Sequence, residues 1–247
     1  ALASGGIAFG GMLLGMVRWA FDFQVKKESV YIPGLSSGFN GLRIIHISDI
    51  HFGSWTDRKT FREAVDIINS YNADLIFFTG DLVNFYTDEA LSFETELSRM
   101  HAKLGIFAVL GNHDYGDYLS WDTASEKEAN MEKLFVLYRR LGWTLLNNEN
   151  RIINISGNKL AVIGVENWSV YDRFPKLGDL DKAIRGCEDA GLRLLLSHDP
   201  THWEEKVVKA DYPVDISFSG HTHGFQFGVE TKNFRWSPAK YMYKHWA

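Results

Sequence analysis

Five times in this chain a short apolar run ends in a cluster of Asp, Asn, His and Gly. LRIIHIS (42–48) leads into Asp49-Ile50-His51, and DLIFFTG (74–80) into Gly80-Asp81-Leu82-Val83-Asn84. GIFAVLG (105–111) leads into Gly111-Asn112-His113-Asp114, and LRLLLSH (192–198) into Ser197-His198-Asp199-Pro200. VDISFSGH (214–221) leads into Gly220-His221-Thr222-His223-Gly224. Runs of this kind predict buried strands. TLLNN, RIINIS and LAVIGVEN add further strands. Helical patterns lie between them. One covers 56–72, with Phe61, Val65 and Ile68 on one face; others cover 88–102, 125–141 (stopped by Gly142), 179–190 and 201–210. Strand–helix alternation predicts α/β layering. Because sites in such sheets form at the carboxyl ends of strands, five strands would deliver their polar ends into one crevice.

The donor set is informative. It mixes carboxylate, imidazole and amide oxygen, which suits manganese, iron or zinc better than calcium. Residues two apart on an extended segment point the same way, so Asp49 with His51, and His221 with His223, can each reach one ion. Taken alone, Asp-X-His or Gly-Asp is what surface turns also contain. Gly-Asn-His-Asp is harder to place in a core, where an unsatisfied polar group costs roughly 2–7 kcal/mol. All five segments in this order are not a coincidence of turns.

The series resembles the calcineurin-like metallophosphoesterase family over roughly residues 42–228. That resemblance implies an α/β (α+β) fold of four layers, two mixed β-sheets in a sandwich flanked by helices. It implies two divalent metal ions (manganese, iron or zinc). Asp49, His51, Asp81 and His223 match the ligands of one; Asp81, Asn112, His198 and His221 match those of the other, with Asp81 bridging. His113 matches the catalytic histidine, and Asp114 is expected to orient it. The implied reaction is hydrolysis of a phosphate-ester substrate at phosphodiester or pyrophosphate bonds by a metal-bound hydroxide. Ions ~3.5–4 Å apart lower the water's pKa and stabilise charge on the phosphoryl oxygens. A lipid-linked or nucleotide-linked substrate is one expectation. A phosphomonoesterase, including a protein phosphatase, is the alternative, because the motifs read phosphate and not the leaving group. A non-catalytic metal-binding scaffold is disfavoured by the complete residue set.

Residues 1–17 carry no charge. As a helix they would span about 25 Å at ~1.5 Å per residue, against a hydrocarbon core of ~30 Å. Glycines recur at four-residue spacing, and Trp19, Phe21 and Phe23 then stand beside Arg18, Lys26 and Lys27, as in an interfacial belt. Residues 1–27 are read as a membrane-proximal remnant of a transmembrane region. Residues 28–247 are read as the catalytic domain, membrane-associated and on the cytoplasmic side. A Gly-rich soluble lead-in is the competing reading. With this start, the Gly-Ser-Trp tripeptide at 53–55 resembles the membrane-associated bacterial branch of the family, which includes UDP-diacylglucosamine pyrophosphatases. Two features depart from that branch. Gly-Phe-Gln at 224–226 replaces Gly-Gly-Gln, so Phe225 is expected to narrow the pocket mouth; and the chain stops at Ala247, so it is truncated or lacks sheet-completing strands.

The formal charge of 26 − 31 = −5 lacks the basic field of a nucleic-acid binder, and no nucleic-acid partner is expected. A single cysteine, Cys187, excludes an intrachain disulfide. Tyr115, Tyr118 and Trp121, with Phe52 and Trp55 opposite, either line an apolar substrate wall or pack the core. Asn84 either supports the site or makes a turn. His46, His101, His202 and His245 are read as sheet or surface histidines. The oligomeric state has no signature here.

Overall fold

The computed structural model describes residues 23–209, 214–223, 229–231 and 234–244. Most of the apolar N-terminal segment, Phe225 and His245 lie outside the described residues. The unit Ile32–Ala247 contains the elements that follow. In chain order they are β1 (Ile44–Ile47), α1 (Arg58–Ser70), β2 (Leu75–Phe78), α2 (Asp88–Leu91), α3 (Glu94–Leu97), β3 (Ile106–Ala108), α4 (Ala124–Leu141), β4 (Thr144–Leu145), β5 (Glu149–Ile155), β6 (Asn158–Gly164), α5 (Leu180–Ala183), β7 (Leu192–Leu196), β8 (Ile216–Phe218), β9 (Val229–Thr231) and β10 (Phe234–Trp236).

Two four-stranded sheets form the centre. The first runs β1-β2-β3-β4 and is parallel throughout; the second runs β5-β6-β7-β8, with β5 antiparallel and the rest parallel. β9 and β10 pair as a small antiparallel ribbon. Successive side chains point to opposite faces of a strand, and this alternation makes the layers. On β2, Leu75 and Phe77 turn toward the second sheet, where they join Leu160, Val162, Leu194 and Leu196. Ile76 and Phe78 turn the other way, onto Val65 of α1 and Leu134 and Leu137 of α4. Ala161, Ile163 and Leu195 face outward from the second sheet onto Ile184 and Val207. Three cores therefore separate four layers: helices, sheet, sheet, helices. Central strands buried on both faces explain the unbroken apolar runs in the sequence. Each such Leu, Ile or Phe contributes about 1.5–3 kcal/mol relative to exposure.

Local signals set several boundaries. The Asp57 carboxylate accepts from Lys59 N and Thr60 N at 2.9 and 3.0 Å and starts α1. Thr123 caps α4, and Gly142 ends it with φ 70°. The helix expected over 88–102 is instead two short pieces. Phe93, between them, is buried with its ring stacked on Phe52 at 4.4 Å. Glu96, 1% exposed, is held by Arg58 and Arg62 at 2.9 and 3.0 Å. These tertiary demands override the helical periodicity. The expected 179–190 helix shortens to α5, with Gly186 at φ 83° beyond it, and 201–210 contains a π-turn, Trp203–Val207.

The aromatic residues divide. Phe52 and Trp55 are not a substrate wall; they pack with Phe61 and Phe93 in the helix-side core. Tyr115 is also buried, its hydroxyl accepting from Asn167 N at 3.2 Å. Tyr118 alone of the group reaches the crevice described next, while Trp121 donates to the Gly116 carbonyl at 2.7 Å.

Candidate metal centre

The five polar clusters converge at the carboxyl ends of β1, β2, β3, β7 and β8. The backbone is bent sharply to bring them there. Asp49, His51, Asp81, His221 and His223 have φ between 47 and 69° and are five of eight non-glycine residues with positive φ among the described residues. Such conformations cost of order 1–3 kcal/mol each and persist only where the surroundings over-determine them. Here hydrogen bonds do so. Asp49 N donates to the Gly80 carbonyl at 2.9 Å, His51 N to the Asp81 carbonyl at 3.1 Å, and His113 N to Asp81 Oδ1 at 2.9 Å. His221 N donates to both Asp49 oxygens at 3.0 and 3.1 Å. Gly80 (φ 94°) must be glycine, because a Cβ there would strike the backbone of Gly111.

Two overlapping groups result: Asp49, His51, Asp81 and His223, and Asp81, His198 and His221. Within each, the potential ligand atoms lie within 4.8 Å of one another. Asp81 Oδ2 belongs to both. It is 3.5 Å from His51 Nε2 and 3.2 Å from His198 Nε2, and it accepts no hydrogen bond. His51 Nε2 meets His223 Nε2 at 3.3 Å, and His223 Nε2 is 3.5 Å from Asp49 Oδ1. His198 Nε2 also faces Asn112 Oδ1 and His221 Nδ1, both at 3.2 Å. The His198 ring is fixed by Nδ1, which donates to the Thr79 carbonyl at 2.6 Å. That bond turns the lone pair of Nε2 toward other lone pairs. Such a set of acceptors needs positive charge at its centre, and its chemistry fits divalent ions with N and O ligands.

The electrostatics point the same way. Burial opposes charge on His198, yet the Asp81 carboxylate raises its pKa to about 10. Burial, then the positive charge of His198, drops His221 to about 3. Burial opposes ionisation of Asp81, but His198, His113 and His51 hold its carboxyl well below the usual range.

All nine residues expected at the site are brought together, but Asp114 does something different from what was expected. It does not orient the His113 ring. Its two oxygens accept backbone N–H bonds from Asp81, Leu82 and Gly111 at 2.8–2.9 Å and from Val83 at 3.3 Å. It thus clamps the loop after β2 to the loop after β3. Burial, then the Asp81 charge, pushes its carboxyl up to about 7. The His113 ring is oriented by Asn84, whose carbonyl accepts from Nδ1 at 2.8 Å. Asn84 is braced in turn: Glu89 accepts its N–H at 2.6 Å, and Ser54 Oγ accepts its side-chain amide at 3.0 Å. The Gly-Ser-Trp tripeptide belongs to this brace. A Cβ on Gly53 would strike Glu89 and Asn84, and Trp55 Nε1 donates to the Ile50 carbonyl at 2.7 Å.

Two further residues act at the site: Tyr118, which the sequence offered only as substrate wall or core, and Asp199, which it gave no role. Tyr118 accepts from Asn112 Nδ2 at 2.7 Å, which aims the amide oxygen at His198, and its ring stacks on His113 at 4.2 Å. Asp199 is fully buried, with Oδ2 3.4 Å from His221 Nε2. The Asp199 charge thus lies behind the His221 ring, whose other nitrogen, Nδ1, faces His198 Nε2 at 3.2 Å. The signal for Asp199 was its position directly after the strand-end histidine; that for Tyr118 was its place among the aromatics that follow Gly-Asn-His-Asp, which did not reveal its bond to Asn112. His46 bonds Thr79 Oγ1 at 2.8 Å, a structural role. A cavity of about 370 Å³ opens over the clusters, lined by His113, Tyr118, Arg173, Phe174 and Tyr243 among others.

Residues 42–225 match the sequence profile of the calcineurin-like phosphoesterase family. Relatives include "Transmembrane protein with metallophosphoesterase domain" of Danio rerio, 28% identical over 217 residues, covering 86% of this chain and 47% of that protein. "Uncharacterized metallophosphoesterase YkuE" of Bacillus subtilis is 26% identical, covering 92% of this chain and 74% of that one. "UDP-2,3-diacylglucosamine pyrophosphatase LpxG" of Chlamydia trachomatis is 28% identical, covering 85% and 72%. The chain thus spans about half the length of the zebrafish relative.

The role of Asp199 is testable. Asp199→Asn keeps the bond to Thr201 N (2.8 Å) but removes the charge behind His221. Divalent-metal affinity of the Asp81, His198 and His221 cluster, titrated with manganese, is expected to fall roughly 10–100-fold by isothermal titration. Affinity within twofold of wild type would contradict that role.

Proposed function

The chain belongs to the calcineurin-like phosphoesterase family, and from that premise we propose that it uses two divalent ions to hydrolyse phosphodiester or pyrophosphate bonds. That it is a phosphohydrolase follows from the family and its relatives. The observation that carries the finer reading is Asp81 Oδ2, a buried acceptor without a donor that faces two imidazole nitrogens from opposite clusters.

Asp49, His51, Asp81 and His223 would hold one ion; Asp81, Asn112, His198 and His221 would hold the other. Bound there, the ions would supply the Lewis acidity that activates water and neutralises the phosphoryl oxygens. Everything else falls to the chain. Asp114 keeps the loops after β2 and β3 in register, so that Asp81 and Asn112 face the same space. Tyr118 holds the Asn112 amide with its oxygen inward. Asn84 fixes the Nδ1 proton of His113, which leaves Nε2 to carry a proton to the leaving oxygen. Tyr118 stacks on that ring and limits its rotation. The preference for diester or pyrophosphate over monoester draws on the Chlamydia relative's name, and on a cavity far larger than one phosphate.

Residues 1–27 would serve as the membrane-proximal segment and 28–247 as the catalytic domain. The uncharged run 1–17 and the zebrafish relative's name support membrane association, with the basic flank on the cytoplasmic side. Among the described residues, no helix is long and apolar enough to cross a membrane.

Manganese-loaded protein is expected to cleave an aryl diester or a nucleotide-sugar pyrophosphate at least tenfold faster than an aryl monoester; the reverse order would sink the preference. His113→Ala is expected to keep its full metal content and lose roughly 10²–10⁴-fold in turnover. Loss of metal in proportion to activity would mark His113 as a ligand instead. In cell fractionation, the chain is expected in the washed membrane pellet, and a version lacking residues 1–27 in the supernatant. Equal partition of the two would contradict the membrane role.

A further inference from the structure

We infer that Arg173 grips the second, non-reacting phosphate of a diphosphate diester, whose organic part lies in a cavity adjoining the metal centre. This deepens the hydrolase reading above and rests on it. The adjoining cavity measures about 630 Å³ and shares Asn112, Tyr118, Arg173 and Phe174 with the cavity over the clusters. Arg173 therefore stands on the border between them. It is the one lysine or arginine lining the metal-side cavity, among the described residues.

Its charge is directed rather than consumed. The guanidinium lies over the Phe174 ring at 4.6 Å and near Tyr171 at 5.8 Å, which restrains its planar fork. Such a fork matches two phosphate oxygens at once. The acids nearby are already engaged: Asp172 pairs with Lys176 at 2.6 Å, and Asp117 with Lys127. Among the described residues, no ion pair takes the Arg173 charge. Beyond it, the cavity walls combine Tyr115, Met131, Pro175 and Leu177 with the paired Asp117 and Lys127 and with Asp172, so the apolar part suits a ring or chain and the carboxylates disfavour a third anion. The order across the border is thus metal ligands, a cation outside any ion pair among the described residues, then a wall of apolar surface and charges that are already paired. A monoester or a simple diester, with one phosphate at the ions, leaves that cation without a counter-charge. A diphosphate supplies it.

The test compares wild type, Arg173→Met and Arg173→Lys, each loaded with manganese, on a bis-aryl phosphodiester and on a nucleotide-sugar diphosphate. Arg173→Met is expected to lower the ratio of kcat/KM for diphosphate over diester at least tenfold, mainly through KM. Arg173→Lys is expected to restore part of that ratio. Inhibition by inorganic pyrophosphate should weaken at least tenfold in Arg173→Met, and inhibition by inorganic phosphate by less than threefold. A ratio within twofold of wild type, or equal weakening of both inhibitors, overturns the inference. A wild type that cleaves the aryl diester but not the diphosphate overturns this inference alone. A metal-loaded wild type that cleaves neither overturns the hydrolase reading with it.

Discussion

One carboxylate oxygen, Oδ2 of Asp81, sets the terms for the rest of the molecule. It is buried, takes no hydrogen bond, and has imidazole nitrogens 3.5 and 3.2 Å away on its two sides. Lone pairs packed this closely in a low-dielectric place repel unless a positive charge sits among them. A proton can serve at one point, as the raised His198 pKa indicates. Two overlapping clusters around one oxygen are the arrangement that a pair of divalent ions would satisfy.

Holding those groups together is the work of the fold. Parallel strands end at one edge, and those leading to Asp49, Asp81, Asn112 and His221 then turn through a left-handed residue or a glycine. The strained positions are the proposed ligands themselves, and the bonds that keep them strained run between loops. Asp114 accepts from four amides of two loops, and the Asp49 carboxylate from a third. Bonds of this kind between loops limit how far the proposed ligands can move, and fixed groups of this sort favour electrostatic stabilisation of a transition state.

Much of this was legible in the sequence, for a physical reason. Strands buried on both faces give unbroken apolar runs, and five such runs in one chain are each followed by residue types that ligate metals. The α/β layering and the convergence of Asp49, His51, Asp81, Asn112, His198, His221 and His223 follow from those two signals, while the four-layer sandwich was what the family resemblance implied. What escaped depended on atoms without a residue-type signature. The partner of His113 is a backbone carbonyl, that of Asn84, so Asp114 next door was the natural but mistaken choice. Tyr118 acts through a stacking face and a hydroxyl that many tyrosines share. Phe52 and Trp55 flank a motif in sequence yet turn into the core, because α1 and Phe93 cover them. The 88–102 segment has helical periodicity, but burial of Phe93 and pairing of Glu96 decide its path.

The central claim is that Asp81 bridges two ions. Crystals grown with manganese, measured for anomalous scattering, address it directly. The account predicts two peaks roughly 3.5–4 Å apart, one beside Asp49, His51 and His223, the other beside Asn112, His198 and His221, with the Asp81 carboxylate between them. A single peak at full manganese loading, or two peaks neither of which touches Asp81, would contradict it.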